Sequence, residues 1–414
     1  MRFLLAAVLI FGVVSALPVT VTSNPLPHPR HLSSALPAVP LACDPDGQQA
    51  SGAFYRICMP ALTEWNGGLI VYAHGYVSPT EPVGIPEDQM RLPDGTSLSD
   101  IVNLLGFAFT TSSYSTNGLA VREGIADLVD LVDIFAAEKG EPETVYLVGA
   151  SEGGIITALS VERHPEIFDG GLALCGPYGG FRAQINYWGD FRLVFDYFFP
   201  GLLPGSPVDV PDSLIANWDA VYEATVKPEI QDPANANLVD QLLKVTQAPY
   251  DSADPGTKER TIERLLWYNV FATNDGIAKL GGQPFDNQDR VYTGSEDDIR
   301  LNLTVPRFTA EQAALDEIAA HYETTGQLSV PLVTLHTTGD PIIPYWHATR
   351  YRSKTILADN IALHEHFRVE RYGHCSFTST EVVNAFMRLY EMVANPLPDQ
   401  PVQRSFLPAV MAAP

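Results

Sequence analysis

The chain has 414 residues, 46% of them hydrophobic and 18% charged, with 49 acidic against 25 basic side chains and a formal net charge of −24. Binding a phosphate backbone takes a basic surface, so nucleic-acid recognition is excluded, and the dispersed acidic residues read as solvated surface. The length exceeds one minimal core and leaves room for a large insertion.

Met1-Arg2 followed by the apolar run Phe3 to Val14, with Val14-Ser15-Ala16 as a small-residue cleavage site, makes residues 1–16 a secretory signal peptide. The apolar run is too short to span a bilayer, and no later stretch reaches that length, so no membrane span is expected. Residues 17–42, with Pro18, Pro25, Pro27, Pro29, Pro37 and Pro40, read as an extended segment with little structure of its own. Arg122 to Lys139 carries Ile125, Leu128, Val129, Leu131, Val132 and Phe135 at helical spacing beside Asp127, Asp130 and Asp133. Thr144 to Val148 is a buried-type strand, Gly149-Ala150-Ser151-Glu152-Gly153 a tight turn, and Gly154 to Ser160 a helix. A further strand ends near Cys175. About 150 residues then pass before the next strand, far more than an ordinary loop. Within them Trp218–Val226, Asn237–Val245, Lys258–Phe271 and Ala310–Tyr322 read as helices separated by Pro, Gly and Asp turns. The first part is aromatic (Phe181, Tyr187, Trp188, Phe191, Phe195, Tyr197, Phe198, Phe199), which fits either packing against a core or an apolar substrate pocket. Leu332–His336 and Phe367–Tyr372 are the last strands.

The chemistry concentrates at the turn around Ser151. Strand, Gly-x-Ser-x-Gly and helix in immediate succession form a nucleophile elbow, in which a sharp turn leaves the serine hydroxyl exposed above a sheet. A nucleophilic serine needs a base, and the base an orienting acid. Asp340 follows Leu332–His336 in a turn stiffened by Pro341 and Pro344, and His374 follows Phe367–Tyr372. All three thus lie just past strands, where open α/β sheets place their sites. Asp359 and Glu365 compete less well as the acid, because they precede the last strand. Of the other histidines, His74 reads as structural, while His364-Glu365-His366 lacks a third ligand and reads as a solvated strand face rather than a metal site. Asp44-Pro45-Asp46-Gly47 and Ser295-Glu296-Asp297-Asp298 lack a full calcium loop. No metal or cofactor is expected.

With its order Ser151, Asp340, His374, the chain resembles the α/β-hydrolase superfamily. The resemblance extends to Asn66–Tyr76, like the family's strand and His-Gly-x oxyanion loop, and to Gly106–Thr110, like the next strand. It implies an α/β-hydrolase fold: a mostly parallel sheet flanked by helices, with a large helical cap insertion. The core would comprise residues 43–180 and 330–396, the cap 181–329 and a C-terminal tail 397–414. It also implies that the backbone N–H groups of Tyr76 and Glu152 form the oxyanion hole. His74, Tyr178, Trp188 and Tyr345 are taken as pocket residues. Tannases and fungal-type feruloyl esterases, to which the chain is partly similar, bond a cysteine after the histidine to one just before the serine; here Ala150 stands in that second place.

Four cysteines in a secreted chain suggest two disulfides, with three connectivities open. Cys43 and Cys58 flank a turn and form the simplest pair. Linking Cys175 to Cys375 would fasten the histidine loop to the sheet, the alternative being buried free thiols. The leading functional expectation is a secreted serine esterase acting on a small-molecule or polymer-derived ester. A secreted peptidase of the prolyl-peptidase or proline-iminopeptidase kind shares the same residue order. A non-catalytic binding protein of this fold would normally lack part of the triad, and nothing is missing here.

Overall fold

The computed structural model describes residues 42–91 and 95–396. The expected signal peptide (1–16), nearly all of segment 17–42 and the tail 397–414 lie outside the described residues.

Among the described residues nine strands form one sheet: β1 (Ala42–Cys43), β2 (Gly47–Gln48), β3 (Phe54–Met59), β4 (Gly68–Ala73), β5 (Ala108–Ser112), β6 (Thr144–Ala150), β7 (Gly170–Leu174), β8 (Leu332–Gly339) and β9 (His364–Tyr372). Their order is β1-β3-β5-β4-β6-β7-β8-β9, with β2 on β3. β3 runs antiparallel to β5, and every pairing from β5 to β9 is parallel. β4, β5 and β7 are buried along their whole length, as strands covered by helices on both faces must be.

The helices are α1 (Leu98–Leu104), α2 (Val121–Lys139), α3 (Glu152–Arg163), α4 (Phe181–Phe198), α5 (Asp212–Ala216), α6 (Trp218–Val221), α7 (Lys227–Gln231), α8 (Ala236–Thr246), α9 (Gly256–Leu280), α10 (Asp298–Thr304), α11 (Gln312–His321), α12 (Trp346–Leu357) and α13 (Ser379–Ala394). Alternation along β4 splits the core in two. Leu69 and Val71 pack with Ile125, Leu128 and Phe135 of α2 and with Ile155 and Leu159 of α3. Ile70 and Tyr72 point the other way, into the layer that holds Phe386 and Leu389 of α13. Helices α4 to α11 are inserted between β7 and β8; α4 to α10 build a third cluster around Phe191, Phe195, Leu242, Leu265 and Leu266, while Ala314 and Ile318 of α11 join the layer of α2 and α3. Ile342 and Ile343, just after β8, belong to that cluster and tie the insertion to the loop of Asp340.

Several elements differ from the sequence expectation. Trp218–Val226 is not one α-helix but α6 followed by a π-helical turn at Tyr222–Val226. Pro228 cannot donate to the carbonyl four residues back, and the chain widens just before it. α9 runs to Leu280, past the expected stop at Phe271. Gly276 does not break it, because Asn274 and Asp275 are fixed from outside the helix, by Val210 and by the Leu119 N–H. The reading of His364-Glu365-His366 as a solvated face needs correction. His364 is buried, and both imidazoles hydrogen-bond Thr334 Oγ1, at 2.9 Å each. Disulfides join Cys43 to Cys58 and Cys175 to Cys375.

Candidate active site

Ser151 sits between β6 and α3 with φ 59° and ψ −119°, a left-handed conformation that costs a non-glycine residue about 1–3 kcal/mol. Its N–H donates to Leu174 O at 2.9 Å, and its carbonyl accepts from Gly154 N–H at 2.9 Å. Neighbouring glycines make the turn possible: a Cβ at Gly149 would overlap the Gly153 carbonyl, and one at Gly153 the Ala73 carbonyl. The elbow therefore lies directly on the end of β4.

The loops after β8 and β9 bring Asp340 and His374 to this serine. His374 Nε2 is 2.9 Å from Ser151 Oγ, and Nδ1 is 2.7 Å from Asp340 Oδ2. Asp340 is fully buried, and its Oδ1 accepts the N–H groups of Ile342 at 2.9 Å and Ile343 at 3.0 Å. Burial alone would raise its pKa, but the His374 charge and the hydrogen bonds from His336 and His374 outweigh it and hold Asp340 below the usual carboxylate range. His336 is a further support that sequence reasoning missed. Its Nε2 donates to Ile343 O at 2.8 Å and lies 3.5 Å from Asp340 Oδ2, leaving Nδ1 to accept from Tyr178 OH at 3.1 Å.

The loop His74-Gly75-Tyr76 faces the elbow, with the Cβ position of Gly75 only 3.1 Å from Ser151 Cβ. Gln89 braces this loop: its Oε1 accepts the Gly75 N–H at 2.7 Å, and its amide donates to Tyr76 O at 3.2 Å. His74 is buried, stacks on Tyr114 at 3.9 Å and donates from Nδ1 to Gly75 O at 2.7 Å. Burial lowers its pKa to about 4, so its ring is neutral and structural. Glu152 opens α3, so its N–H has no acceptor within the helix. Its buried carboxyl accepts the Ala120 N–H on Oε1 at 3.0 Å, Oε2 has no partner, and burial raises the pKa to about 8.

A cavity of about 870 Å³, counted with its open mouth, lies beside Ser151 between the sheet edge and the inserted helices. Tyr76, Glu152, Phe181, Trp188, Tyr268 and Phe285 contribute to its walls, and among the described residues no lysine or arginine does. Of the pocket residues expected from sequence, Trp188 lines it but His74, Tyr178 and Tyr345 do not. Tyr178 is buried beneath, bonded to His336, and Tyr345 bonds His366 Nε2 at 3.0 Å. Along α4 the aromatic segment divides by position: Phe181 and Trp188, nearer its start, line the cavity, while Phe191 and Phe195, nearer its end, fill the core of the insertion. Among the described residues the one group spaced to hold a metal ion is Cys175, His374 and Cys375, and its two sulfurs are committed to a disulfide.

Sheet order and elbow together make the chain an α/β hydrolase, of the serine-hydrolase class. Residues 120–255 match the family described as Hydrolase_4, serine aminopeptidase S33. Over 403 residues the chain is 23% identical to an o-phthalyl amidase of Xanthobacter agilis, covering 81% of this chain and 84% of that protein. Among solved structures it is similar to an esterase of Pyrococcus furiosus, at 10% identity over 86% of this chain and 91% of that one, with a TM-score of 0.43. Feruloyl esterase B of Aspergillus oryzae is similar at 15% identity over 84% and 79%, with a TM-score of 0.44. An acylaminoacyl peptidase of Pyrococcus horikoshii is similar at 11% identity over 86% and 40%, with a TM-score of 0.41.

Proposed function

We propose that the chain is a secreted serine esterase that cleaves carboxylic esters with an apolar, uncharged acyl group. The observation that carries this reading is the Ser151–His374–Asp340 relay, at 2.9 and 2.7 Å, opening onto a cavity whose walls, among the described residues, hold no lysine or arginine. Ser151 Oγ attacks the carbonyl carbon while His374 Nε2 takes its proton, and Asp340 holds the ring and stabilises the imidazolium. The oxyanion is met by the N–H groups of Tyr76 and Glu152 at the positive end of α3. His374 then protonates the leaving alcohol, and water repeats the cycle on the acyl-enzyme. Residues 181–329 act as the cap that shapes the substrate site, between core segments 43–180 and 330–396. Two disulfides and the leader 1–16 support export, and no helix among the described residues is long and apolar enough to cross a membrane.

The second reading is amide or peptide cleavage, favoured by the family match over 120–255 and by the similarity to an amidase. The same relay would serve, with His374 protonating an amine. A panel of nitrophenyl esters of graded acyl length, aminoacyl anilides and phthalyl amides separates the two. The esterase reading expects kcat/KM highest for uncharged acyl esters; turnover confined to amides or anilides would replace it.

A further inference from the structure

One polar group at the reacting centre comes from the insertion and plays no part in the relay. Tyr268, on α9, lines the cavity together with Ser151. Nearby aromatic polar atoms are committed elsewhere: Tyr76 OH donates to Phe271 O at 3.2 Å, Tyr187 OH to Pro341 O at 2.8 Å and Trp188 Nε1 to Ile342 O at 3.2 Å. The Tyr268 ring is clamped, stacked on Trp188 at 4.9 Å and 16° and meeting Trp267 edge-on at 5.0 Å and 82°. It also rests against the ring of Tyr76 at 5.7 Å, which places it on the side of the oxyanion loop.

We propose that Tyr268 is a further catalytic residue, which donates its phenolic hydrogen bond to the carbonyl oxygen of the substrate as that oxygen becomes negatively charged. The inference rests on the reading of Ser151 as nucleophile. As Oγ bonds to the carbonyl carbon, the π pair moves to the carbonyl oxygen and the Ser151 proton passes to His374 Nε2. Tyr268 keeps its proton throughout. Burial, reinforced by the nearby Asp340 and Glu152 charges against the opposing pull of Arg264, holds its pKa well above the phenol range, so it is a donor at every working pH. A clamped ring suits the role, because a donor already in place reorganises little when the charge develops. The insertion would then supply part of the catalytic machinery as well as a wall of the pocket.

Tyr268→Phe removes the hydroxyl and keeps the stacked ring, so the fold should be retained. With a nitrophenyl ester, kcat should fall about 10- to 100-fold, less than the roughly 100- to 1000-fold for losing a principal oxyanion donor because two backbone donors remain, with KM changed less than about threefold. Affinity for an alkyl boronic acid, which forms a tetrahedral adduct with the serine, should weaken by a similar factor. An unchanged kcat, or a rise in KM alone, would overturn the proposal and leave Tyr268 as pocket wall. Ser151→Ala, run in parallel, separates the two levels: if that variant stays active, the nucleophile assignment itself fails. If it is inactive while Tyr268→Phe matches the wild type, only the role of Tyr268 fails.

Discussion

Glu152 should give the enzyme an alkaline limit, and Glu152→Gln should remove it. The carboxyl is buried at the start of α3, its Oε2 has no partner, and burial holds its pKa near 8. The charged groups that bear on it are Lys279 and Asp275 of α9 and Glu123 of α2, and of these only the lysine favours ionisation. Tyr76, Tyr114 and Tyr268 also feel its charge, but burial holds all three phenols protonated. Ionised Glu152 would place a negative charge on the residue whose N–H is assigned to the oxyanion. At a separation of ~6 Å and an effective dielectric of ~20 the repulsion is about 2–3 kcal/mol, or roughly 30- to 150-fold in rate. Stability should move the same way. A carboxyl whose folded pKa is raised binds more protons folded than unfolded, so stability declines as pH rises from about 4.5 to 8. The loss is at most about 4–5 kcal/mol above that range. The assay is kcat/KM for a nitrophenyl ester from pH 6 to 10, corrected for spontaneous hydrolysis, with urea unfolding alongside. Glutamine keeps an acceptor for the Ala120 N–H, so the variant should lose the limb near pH 8 and gain stability at pH 9. An identical alkaline limb in both proteins would refute the argument.

Acid should destabilise the fold for a related reason. Burial holds His74 near pKa 4, His364 near 3 and His366 near 4, so the unfolded chain binds more protons than the folded one below about pH 6.5. His74 alone should cost about 2–3 kcal/mol by pH 4.5; a melting temperature constant from pH 7 to 4.5 would contradict this. The Cys175–Cys375 disulfide should matter more for catalysis than for folding, since Cys375 adjoins His374 and its Sγ is 3.5 Å from His374 Nε2. Cys175→Ser/Cys375→Ser should lose up to about a hundredfold in kcat while staying folded by circular dichroism; full activity would show that the bond does not position the histidine.

The proposed triad was legible because each member is announced locally: Ser151 by Gly149 and Gly153 after a strand, Asp340 and His374 by the turns that end β8 and β9. Parallel-strand order then places those ends together without any knowledge of side-chain contacts. What the sequence could not announce are partners fixed by long-range packing. Gln89 carries no motif; it braces the His74–Tyr76 loop only because the short helix at Glu87–Met90 brings its side chain to the Gly75 N–H. Tyr268 is one aromatic among several at helical spacing, and its approach to Ser151 depends on how α9 crosses the sheet edge. Tyr178 and Tyr345, expected in the pocket, instead hydrogen-bond His336 and His366, contacts made across the fold that no local pattern signals. The strands β1 and β2 escape a sequence reading because each is only two residues long and shows no alternation to read.

The most direct test of the account is covalent. The purified protein, treated with a fluorophosphonate and digested, should carry one adduct, on the peptide containing Ser151. Ser151→Ala should take up no label and lose ester hydrolysis by several orders of magnitude while melting at the wild-type temperature. Labelling at another serine, or undiminished hydrolysis by Ser151→Ala, would contradict the assignment of Ser151 as the nucleophile.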